Sequence, residues 1–471
     1  MESLELNPDR LFPVEPSIRE VARELYEIVK DLPIISPHGH VEPRLLLDNA
    51  AFPNASELFL RYDHYVFRLL NAAGVDLNGI GVGKVAMTKP REAWRVFCQH
   101  WHLFDGTASG YWLTHVFVTL FGIDEEPNTQ NADVLYDRIG ARLAEADFRP
   151  RALFNSFPIA FLATTDDPLD SLEDHAALAK LTSQGELGGR IAPTWRPDVY
   201  VNGRKPEFRE RVEALTASVG GAPDNLGDYL RAMRESRSRF IARGAVSADF
   251  GVAQPAALDL DDRELAGLLK VLVSGEGSDA QADAFEAAML TRFAQMSLED
   301  GLVMTVHPGV FRNHSTAAFN HFGADTGHDI PVATEYTRSL RPLLERYGHE
   351  PDLHLVLFTL DETVYSREIA PLAGYYPSVY IGAPWWFIDA PDSILRFHAA
   401  TTETAGFSRL SGFIDDTRAF LSIPARHDMN RRLDAAFLAR YVCEGRLPLS
   451  SAKYWIHRLN DEQPREIFKL H

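Results

Sequence analysis

The sequence predicts an α/β fold, a (β/α)8 TIM-type barrel with a helical insertion after the first barrel strand. Eight short apolar segments recur along the chain, and each ends in a polar turn rich in Pro, Gly, Asp or Thr. Segments with helical periodicity and charged faces lie between them, which is typical of buried parallel strands with helices outside. Eight such units indicate a closed barrel, whose chemistry lies at the C-terminal ends of the strands.

The predicted strands share a run of about four to six apolar residues followed by a polar turn. In chain order they are LPIISPHGH (32–40), IAFLATTDDP (159–168), RIAPTWRPD (190–198), GAVSADFG (244–251), LVMTVHPG (302–309), LHLVLFTLDET (353–363), VYIGAPWWF (379–387) and LSGFIDDTR (410–418). Between the first two lies a stretch far longer than an ordinary βα connection, aromatic and helical in pattern. We therefore expect three regions: an N-terminal helix with the first strand (1–42), a helical insertion over the active-site mouth (43–150), and the remainder of the barrel (151–471).

Composition narrows the class of protein. The chain has 471 residues and a formal net charge of −19, which argues against nucleic-acid and anionic-membrane partners. An acidic small molecule would need a locally cationic pocket. The two cysteines, Cys98 and Cys443, are expected to be reduced rather than bridged. The acidic N-terminus lacks the apolar stretch of a signal peptide, and no segment reaches the roughly 20 apolar residues of a membrane span. We expect a cytoplasmic enzyme. Whether it forms a homo-oligomer stays open, because the sequence reveals no self-complementary surface.

The first and last strand ends predict a metal site. In a strand, residues i and i+2 share a face, so His38 and His40 can reach one ion. Asp416, at the last strand end, would supply a carboxylate to the same site if the sheet closes. The alternative is that Asp416 caps a helix starting near Arg418. Because Asp415 is adjacent and free to cap, and Asp416 alternates with Arg418, we expect Asp416 to face inward. Nitrogen and oxygen ligands without thiolate fit one divalent ion, Zn²⁺ or a similar metal.

His307, which ends the fifth strand, has two open interpretations. It would be a third imidazole at the metal or a group that orients the site. It would equally be a buried histidine bonded to backbone. The sequence alone does not choose between them.

Two arginines indicate an anionic substrate. Arg196 and Arg418 both lie at predicted strand ends, facing the mouth. Guanidinium groups bind carboxylates and phosphates bidentately, so two of them in one pocket favour a substrate that carries such a group.

Aromatic residues near the mouth allow more than one role. Trp385 and Trp386 would form an apolar wall for a sugar or fill the top of the barrel, and strand alternation allows only one of them to do the former. His64 and Tyr65 lie in the insertion, where they would supply acid–base groups or pack in an amphipathic helix. Spacing alone favours packing for this pair.

These residues and their surroundings resemble the uronate isomerase (glucuronate isomerase) family of the amidohydrolase superfamily. The resemblance spans nearly the whole chain, from RLFP to RHD. The matching stretches are HGH, DHY, ATTDDP, TWRPD, HPG…RN, DTG, WWF and DDTRAFLS. It implies an aldose–ketose isomerase that interconverts D-glucuronate with D-fructuronate and D-galacturonate with D-tagaturonate.

The resemblance also implies roles for individual residues. The family's metal ligands correspond to His38, His40 and Asp416, which places one ion in the site. Its catalytic histidine–tyrosine pair corresponds to His64 and Tyr65, which reverses the packing interpretation. Its arginines correspond to Arg196 and Arg418.

A mechanism by proton transfer between C2 and C1 through an enediol follows from the resemblance. We expect Asp416 to act as base, with Tyr65 as proton relay oriented by His64. Arg418 would hold a developing oxyanion, and Arg196 the distant carboxylate.

Two alternatives remain, a metal-dependent hydrolase of the same superfamily and a non-catalytic barrel that binds sugar acids. Binuclear hydrolases of this type use a lysine near the fourth strand, and GAVSADFG has none. Two positions depart from the family pattern, Ser36 where many members have aspartate and Phe250 where many have histidine. If that histidine shapes substrate contacts, substrate choice or rate would differ here.

Overall fold

The computed structural model describes residues 3–470, so Met1, Glu2 and His471, at the ends of the predicted terminal regions, lie outside the described residues. Nine short β-strands occur between residues 3 and 470. They are β1 (Ile34–Ser36), β2 (Ile159–Ala163), β3 (Arg190–Ala192), β4 (Ser247–Phe250), β5 (Val303–Val306), β6 (Val310–Phe311), β7 (Ile330–Pro331), β8 (Leu355–Leu357) and β9 (Val379–Ile381).

The α-helices of the described chain surround and connect these strands. They are α1 (Pro16–Val29), α2 (Pro43–Asp48), α3 (Ala55–Phe59), α4 (His64–Ala72), α5 (Leu77–Ile80), α6 (Pro90–Gln99), α7 (Ala108–Phe121), α8 (Ala132–Leu143), α9 (Pro150–Ser156), α10 (Glu173–Ser183), α11 (Asp198–Val201), α12 (Phe208–Ala217), α13 (Leu226–Ala242), α14 (Asp262–Ser274), α15 (Asp279–Asp300), α16 (Thr316–Phe322), α17 (Arg341–Tyr347), α18 (Ala370–Tyr375), α19 (Pro391–Ala405), α20 (Ile423–Cys443), α21 (Leu449–His457) and α22 (Gln463–Ile467).

Two parallel sheets confirm the predicted α/β class. One has the order β1-β2-β3 and the other the order β4-β5-β8-β9, both in chain order. Single parallel bridges extend this series: Trp195 pairs with Ala248 between the two sheets, and Ile381 pairs with Leu410 beyond β9. Strands β4 and β5 are buried at every position, which is typical of strands covered on both faces.

The eighth predicted strand is not a regular strand, so that prediction is wrong in detail. Leu410 makes one bridge and Ser411 N donates to Ile381 O at 2.8 Å, after which the pairing stops. Gly412 then has φ +80° and Asp416 has φ +40°, both in the left-handed region that strands do not use. His40 N donates to Thr417 O at 3.1 Å, so the segment still runs beside the end of β1.

Between β1 and β2 the chain is helical, from α2 to α9. Its apolar side chains form a core of their own around Trp94 and Phe117. That core includes Ile34 of β1 and Ile159 and Leu162 of β2, so the helices pack directly on the first two strands.

A small antiparallel pair after β5 was not predicted. Strands β6 and β7 pair Val310 with Pro331 and Phe311 with Ile330, and α16 lies between them. The Lys84 N–H donates to Phe322 O at 2.8 Å, which ties this segment to the helices between β1 and β2.

Two smaller expectations concern cysteines and membrane spans. Cys98 is buried and Cys443 exposed, and both are free, as predicted. Among residues 3–470 no helix is both long and apolar enough to cross a lipid bilayer.

Candidate metal and substrate site

The two histidines of the HGH turn lie directly after β1. Gly39 between them lies close to the neighbouring strand, because a Cβ there would lie 3.3 Å from Ala163 O of β2, a tight contact. The His38 ring is buried, and its Nδ1 has no hydrogen-bond partner in the described structure. The two rings meet edge to face with centroids 5.2 Å apart. The turn therefore presents both imidazoles to one small volume.

Asp416 lies in that volume. Its Oδ1 is 3.4 Å from His38 Nε2 and 3.0 Å from His40 Nε2. Burial would raise the pKa of Asp416, but the two imidazoles outweigh it and hold that pKa well below its ordinary value. The side chain makes no helix cap; the following turn is closed by Thr417, whose Oγ1 accepts from Ala419 N at 2.9 Å.

His307 is buried at the end of β5 and its Nδ1 is 2.6 Å from Asp249 Oδ1. The interpretation as a histidine bonded to backbone is wrong, because its partner is a carboxylate. The remaining ring nitrogen, Nε2, is buried without a partner. The ring stacks on His38 with centroids 4.6 Å apart. Asp249 thus aims the free nitrogen of His307 toward the histidines of β1.

The donor set fits a divalent metal ion. Ligand atoms of His38, His307 and Asp416 all lie within 4.8 Å of one another, and His40 Nε2 is close to the same carboxylate oxygen. Ligands at about 2.1 Å from a tetrahedral ion are about 3.4 Å apart, which is close to the nitrogen–oxygen separations here. His307 Nε2, which is buried without a hydrogen-bond partner, points to the same requirement. A carboxylate that holds the far nitrogen of a histidine, as Asp249 holds His307 Nδ1, is also typical of metal sites.

Arg196 lies at the end of the segment after β3. Its Nε donates to Asp198 Oδ2 at 2.7 Å, and its Nη1 is 3.4 Å from Asp249 Oδ2. Burial would lower the pKa of Arg196, but Asp198 and Asp249 raise it above the ordinary value. Gly251 gives the guanidinium its room, because a Cβ there would clash with Arg196 and lie 2.7 Å from Asp198 Oδ2.

Arg418 does not share a strand face with Asp416, because the segment is not a strand. It extends instead toward the turn before β7, where its Nη2 donates to Asp325 Oδ2 at 3.0 Å. The other oxygen, Asp325 Oδ1, is 3.5 Å from Arg312 Nη1. Both arginine side chains are about two-fifths exposed, so they remain accessible to an anion from solvent.

His64 and Tyr65 form the first turn of α4, whose N-cap is Asp63. The Asp63 side chain accepts a hydrogen bond from Tyr65 N at 3.0 Å. Their rings stack with centroids 4.5 Å apart. Burial, with the charge of Arg418 next, lowers the pKa of His64 to about 3, so the ring is neutral near pH 7. Its Nε2 is buried without a partner. Burial also raises the pKa of the Tyr65 phenol above its ordinary value.

The two tryptophans differ in position. Trp385 is buried and its edge meets His307, with centroids 4.8 Å apart. Trp386 begins a 3-10 turn with φ +51°, so strand alternation does not apply to it. Its ring lies 5.4 Å from the His64 ring and 4.9 Å from Arg312 Cζ. Of the two tryptophans, Trp386 is therefore the one that lies beside His64 and Arg312.

The two departures from the family pattern have different surroundings. Phe250 is buried and stacks on Phe293 with centroids 4.9 Å apart, with Trp195 beyond it, so its ring points into the apolar core rather than the site. Ser36 is also buried, and its Oγ has no hydrogen-bond partner in the described structure.

Sequence reasoning missed several polar residues of the site. The sequence could have indicated Asp249, because a carboxylate inside a predicted buried strand needs a buried partner. Arg312 and Asp325 fall within the matching stretches HPG…RN and DTG but receive no role from the sequence, because the hairpin that brings them together leaves no local pattern. Asp389 and Arg426, which pair at 2.7 Å while fully buried, gave no signal, because arginines in helices are usually solvated.

Comparisons with known proteins agree with this geometry. The sequence model of the glucuronate isomerase family matches residues 17–460. A uronate isomerase of Cutibacterium acnes is 50% identical over 470 residues, covering 99% of both chains. One of Corynebacterium efficiens is 49% identical over 465 residues, covering 98% of both.

A solved structure extends the likeness to the fold. The crystal structure of glucuronate isomerase from Caulobacter crescentus superposes with a TM-score of 0.97 at 48% identity, covering 100% of this chain and 98% of that chain. Sequence and fold therefore agree over essentially the full length, and the chain belongs to the uronate isomerase family.

Proposed function

We propose that the protein is an aldose–ketose isomerase that interconverts D-glucuronate with D-fructuronate and D-galacturonate with D-tagaturonate. The observation that carries the proposal is the convergence of Asp416 and the HGH histidines below a mouth lined by arginines. Relatives about half identical over nearly the whole chain are named uronate isomerases, which supports the same activity.

We also propose that the strands close into the (β/α)8 barrel. The parallel pairs follow chain order through both sheets, and single bridges join the sheets to each other and β9 to Leu410. The hydrogen bond from His40 N to Thr417 O links the last segment back to the first. In this arrangement 43–150 is an insertion over the mouth, between the first strand with its helix (1–42) and the remainder (151–471).

A single divalent ion, Zn²⁺ or a similar metal, is the proposed cofactor, held by His38, His40 and Asp416 as in the amidohydrolase superfamily. His307 would be a fourth ligand or contact the substrate, oriented by Asp249. When bound, the ion would polarise the substrate oxygens and stabilise the charge that develops on them.

The proton transfers are assigned to the protein's own groups. Asp416, held ionised by its surroundings, removes the C2 proton and returns it at C1 through an enediol. Tyr65 relays the hydroxyl proton while neutral His64 orients the phenol by stacking against it. Arg418 stabilises the developing oxyanion.

The substrate is proposed to be a sugar acid because the half-exposed arginines Arg312 and Arg418 converge on one carboxylate, Asp325, and keep guanidinium donors open to an anion. Arg196 binds the carboxylate distant from the reacting carbons, so binding energy orients C1 and C2. Trp386 offers an apolar wall for the sugar, and Trp385 supports His307 from behind. The net charge of −19 fits a small-molecule enzyme of the cytoplasm without nucleic-acid or membrane partners.

The alternatives are a mononuclear hydrolase and a non-catalytic sugar-acid-binding barrel. Family membership favours the isomerase over the hydrolase. Phe250 does not favour the binding barrel, because its ring belongs to the core.

The test follows D-glucuronate and D-galacturonate by proton NMR in D₂O, with and without a chelator. We expect the ketose to form, with deuterium entering at the exchanging carbon. Absence of both ketose and deuterium, in folded protein that binds Zn²⁺, would reject the isomerase in favour of a hydrolase or another sugar acid.

A further inference from the structure

A buried arginine contacts the ring of Tyr65. Arg426, near the start of α20, is 1% exposed. Its Cζ lies 3.5 Å from the centroid of the Trp112 ring and 5.3 Å from that of Tyr65. The two rings meet edge to face, 5.5 Å apart, and come from different helices, α7 and α4. A guanidinium held against aromatic rings restricts the position of both.

Fixed acceptors set the orientation of this guanidinium. Arg426 Nη1 donates to Asp389 Oδ2 at 2.7 Å and to Asp415 O at 3.3 Å, and Nε donates to Ser422 Oγ at 3.1 Å. Asp389 follows the 3-10 turn after β9, and Asp415 directly precedes Asp416. One side chain thus joins α4 and α7 to the backbone that carries the proposed base.

Stability alone does not account for this arrangement. A buried ion pair contributes little compared with apolar residues of the same volume, and it is costly when one partner is lost. The location of Arg426, between the Tyr65 ring and the turn of Asp415, is what distinguishes it from other buried pairs of the fold.

We propose that Arg426 is a positioning residue that holds the Tyr65 phenol in place relative to Asp416 during proton transfer. The inference rests on the proposed isomerase function and deepens it. Arg426 is assigned no contact with the substrate; it acts through Tyr65, to which it is a side-chain hydrogen-bond partner, and through the backbone of Asp415. Its charge also opposes the effect of burial, which raises the pKa of Tyr65.

The same helix offers a matched control. Arg432 is 5% exposed, its Nε is 3.0 Å from Asp428 Oδ2, and its Cζ lies 4.2 Å from the Tyr26 ring. It has the same chemistry as Arg426, a buried guanidinium with a carboxylate and an aromatic ring, but its partners lie outside the proposed machinery. Loss of either arginine therefore removes a similar structural interaction.

The kinetic test compares Arg426→Met and Arg426→Lys with Arg432→Met, all as full-length enzyme loaded with Zn²⁺. We expect Arg426→Met to lower kcat by about 10- to 100-fold while KM stays within about threefold. A misplaced Tyr65 phenol would weaken an interaction made only in the transition state, and such a loss lowers kcat rather than substrate binding. Arg426→Lys keeps the charge and should recover part of the loss. Arg432→Met should keep kcat within about twofold. An unchanged kcat in folded Arg426→Met, or an equal loss in Arg432→Met, would overturn the proposal.

A second readout does not depend on turnover. Protein labelled with [13Cζ]tyrosine gives a Tyr65 resonance that Tyr65→Phe identifies by its loss. We expect this resonance to shift in Arg426→Met and not in Arg432→Met. If the wild-type enzyme converts no uronate, the proposed function fails. The Tyr65 chemical shift then still tests whether Arg426 holds the Tyr65 ring in place. A Tyr65 resonance unmoved in Arg426→Met, or in Arg426→Lys where the methionine variant does not fold, contradicts it.

Discussion

Asp249 Oδ1 lies 2.6 Å from His307 Nδ1, and both side chains are buried at neighbouring strand ends. Burial would raise the pKa of Asp249, but His307, His38 and Arg196 outweigh it and hold that pKa below its ordinary value. The carboxylate is therefore ionised and can keep the proton of His307 on Nδ1, leaving Nε2 with a lone pair for a metal or substrate.

The first prediction concerns this pair. Asp249→Asn loses the charge that fixes the tautomer, so we expect Zn²⁺ affinity or activity to fall about 10- to 100-fold. Metal titration with a competing chromophoric chelator measures the affinity. Asp434→Asn is the control, because Asp434 forms a similar buried pair with His398, Oδ1 to Nε2 at 2.7 Å, on α20 and α19. Unchanged affinity and activity in Asp249→Asn would contradict the role.

The backbone of Asp416 makes a second prediction. With φ +40°, this position favours Asp, Asn or Gly over other residues. Asp416→Asn should therefore fold without added backbone strain while turnover is abolished. Asp416→Ala should also be inactive and, in addition, less stable by about 1 kcal/mol. Retained activity in Asp416→Asn would remove Asp416 as base; thermal unfolding of the two variants tests the strain.

Arg196 is predicted to recognise the substrate carboxylate. Arg196→Met should raise KM for D-glucuronate and D-galacturonate by about 10- to 100-fold, the value of a charge-assisted hydrogen bond. Any slow conversion of D-glucose or D-galactose should change far less. Arg341→Met, on an exposed helix face, controls for loss of an arginine. Equal losses with charged and neutral sugars would show that Arg196 serves the structure of the site instead.

Gly251 provides a milder test of the same guanidinium. In Gly251→Ala the new methyl group clashes with the end of the Arg196 side chain, which can move, so folding should be kept while uronate KM rises about 10-fold. Gly267→Ala is the control, since a Cβ in that helix meets nothing within 4 Å. Steady-state kinetics compares the two, and a wild-type KM in Gly251→Ala would dissociate the position of Arg196 from binding.

The depressed pKa of His64 predicts a dependence of stability on pH. An unfolded histidine binds a proton near pH 6.5, whereas burial and Arg418 lower the pKa of His64 to about 3 in the fold. The stability that neutral His64 contributes to the fold is therefore complete above pH 6.5 and is lost as pH falls toward 3. Between these values His64 binds a proton in the unfolded chain but not in the folded protein.

We expect His64→Asn to reduce the slope of unfolding free energy against pH between 4 and 6 by about 1.4 kcal/mol per pH unit. Denaturant unfolding at several pH values, with chelator present, measures the slope. His349→Asn, at the surface, is the control for loss of an imidazole. Equal slopes for wild type and His64→Asn would mean that His64 is protonated in the fold.

The sequence predicts the parallel strands well because burial on both faces imposes a simple apolar pattern on each. It also predicts the turn of His38 and His40, since two metal-binding side chains two residues apart are recognisable locally. The prediction of a strand fails for the last segment, because the left-handed backbone of Gly412 and Asp416 depends on neighbours that are distant in the chain. Asp416 lies beside the histidines for that reason and not through strand alternation with Arg418.

Charged residues within helices and loops could not be placed in advance. Arg426 lies on a helix whose sequence does not reveal which arginines are buried. Arg312 and Asp325 meet only because β6 and β7 pair, and strands of two residues leave no periodic pattern. Long-range pairing of this kind is set by tertiary packing rather than by local preference.

The apolar core of the helices between β1 and β2 has one more consequence. Because it shares Ile34 with the strand that carries His38, neither part can melt while the other keeps its packing. Substitution of a side chain in this shared core is therefore expected to destabilise the helices and the strand that leads to His38 together.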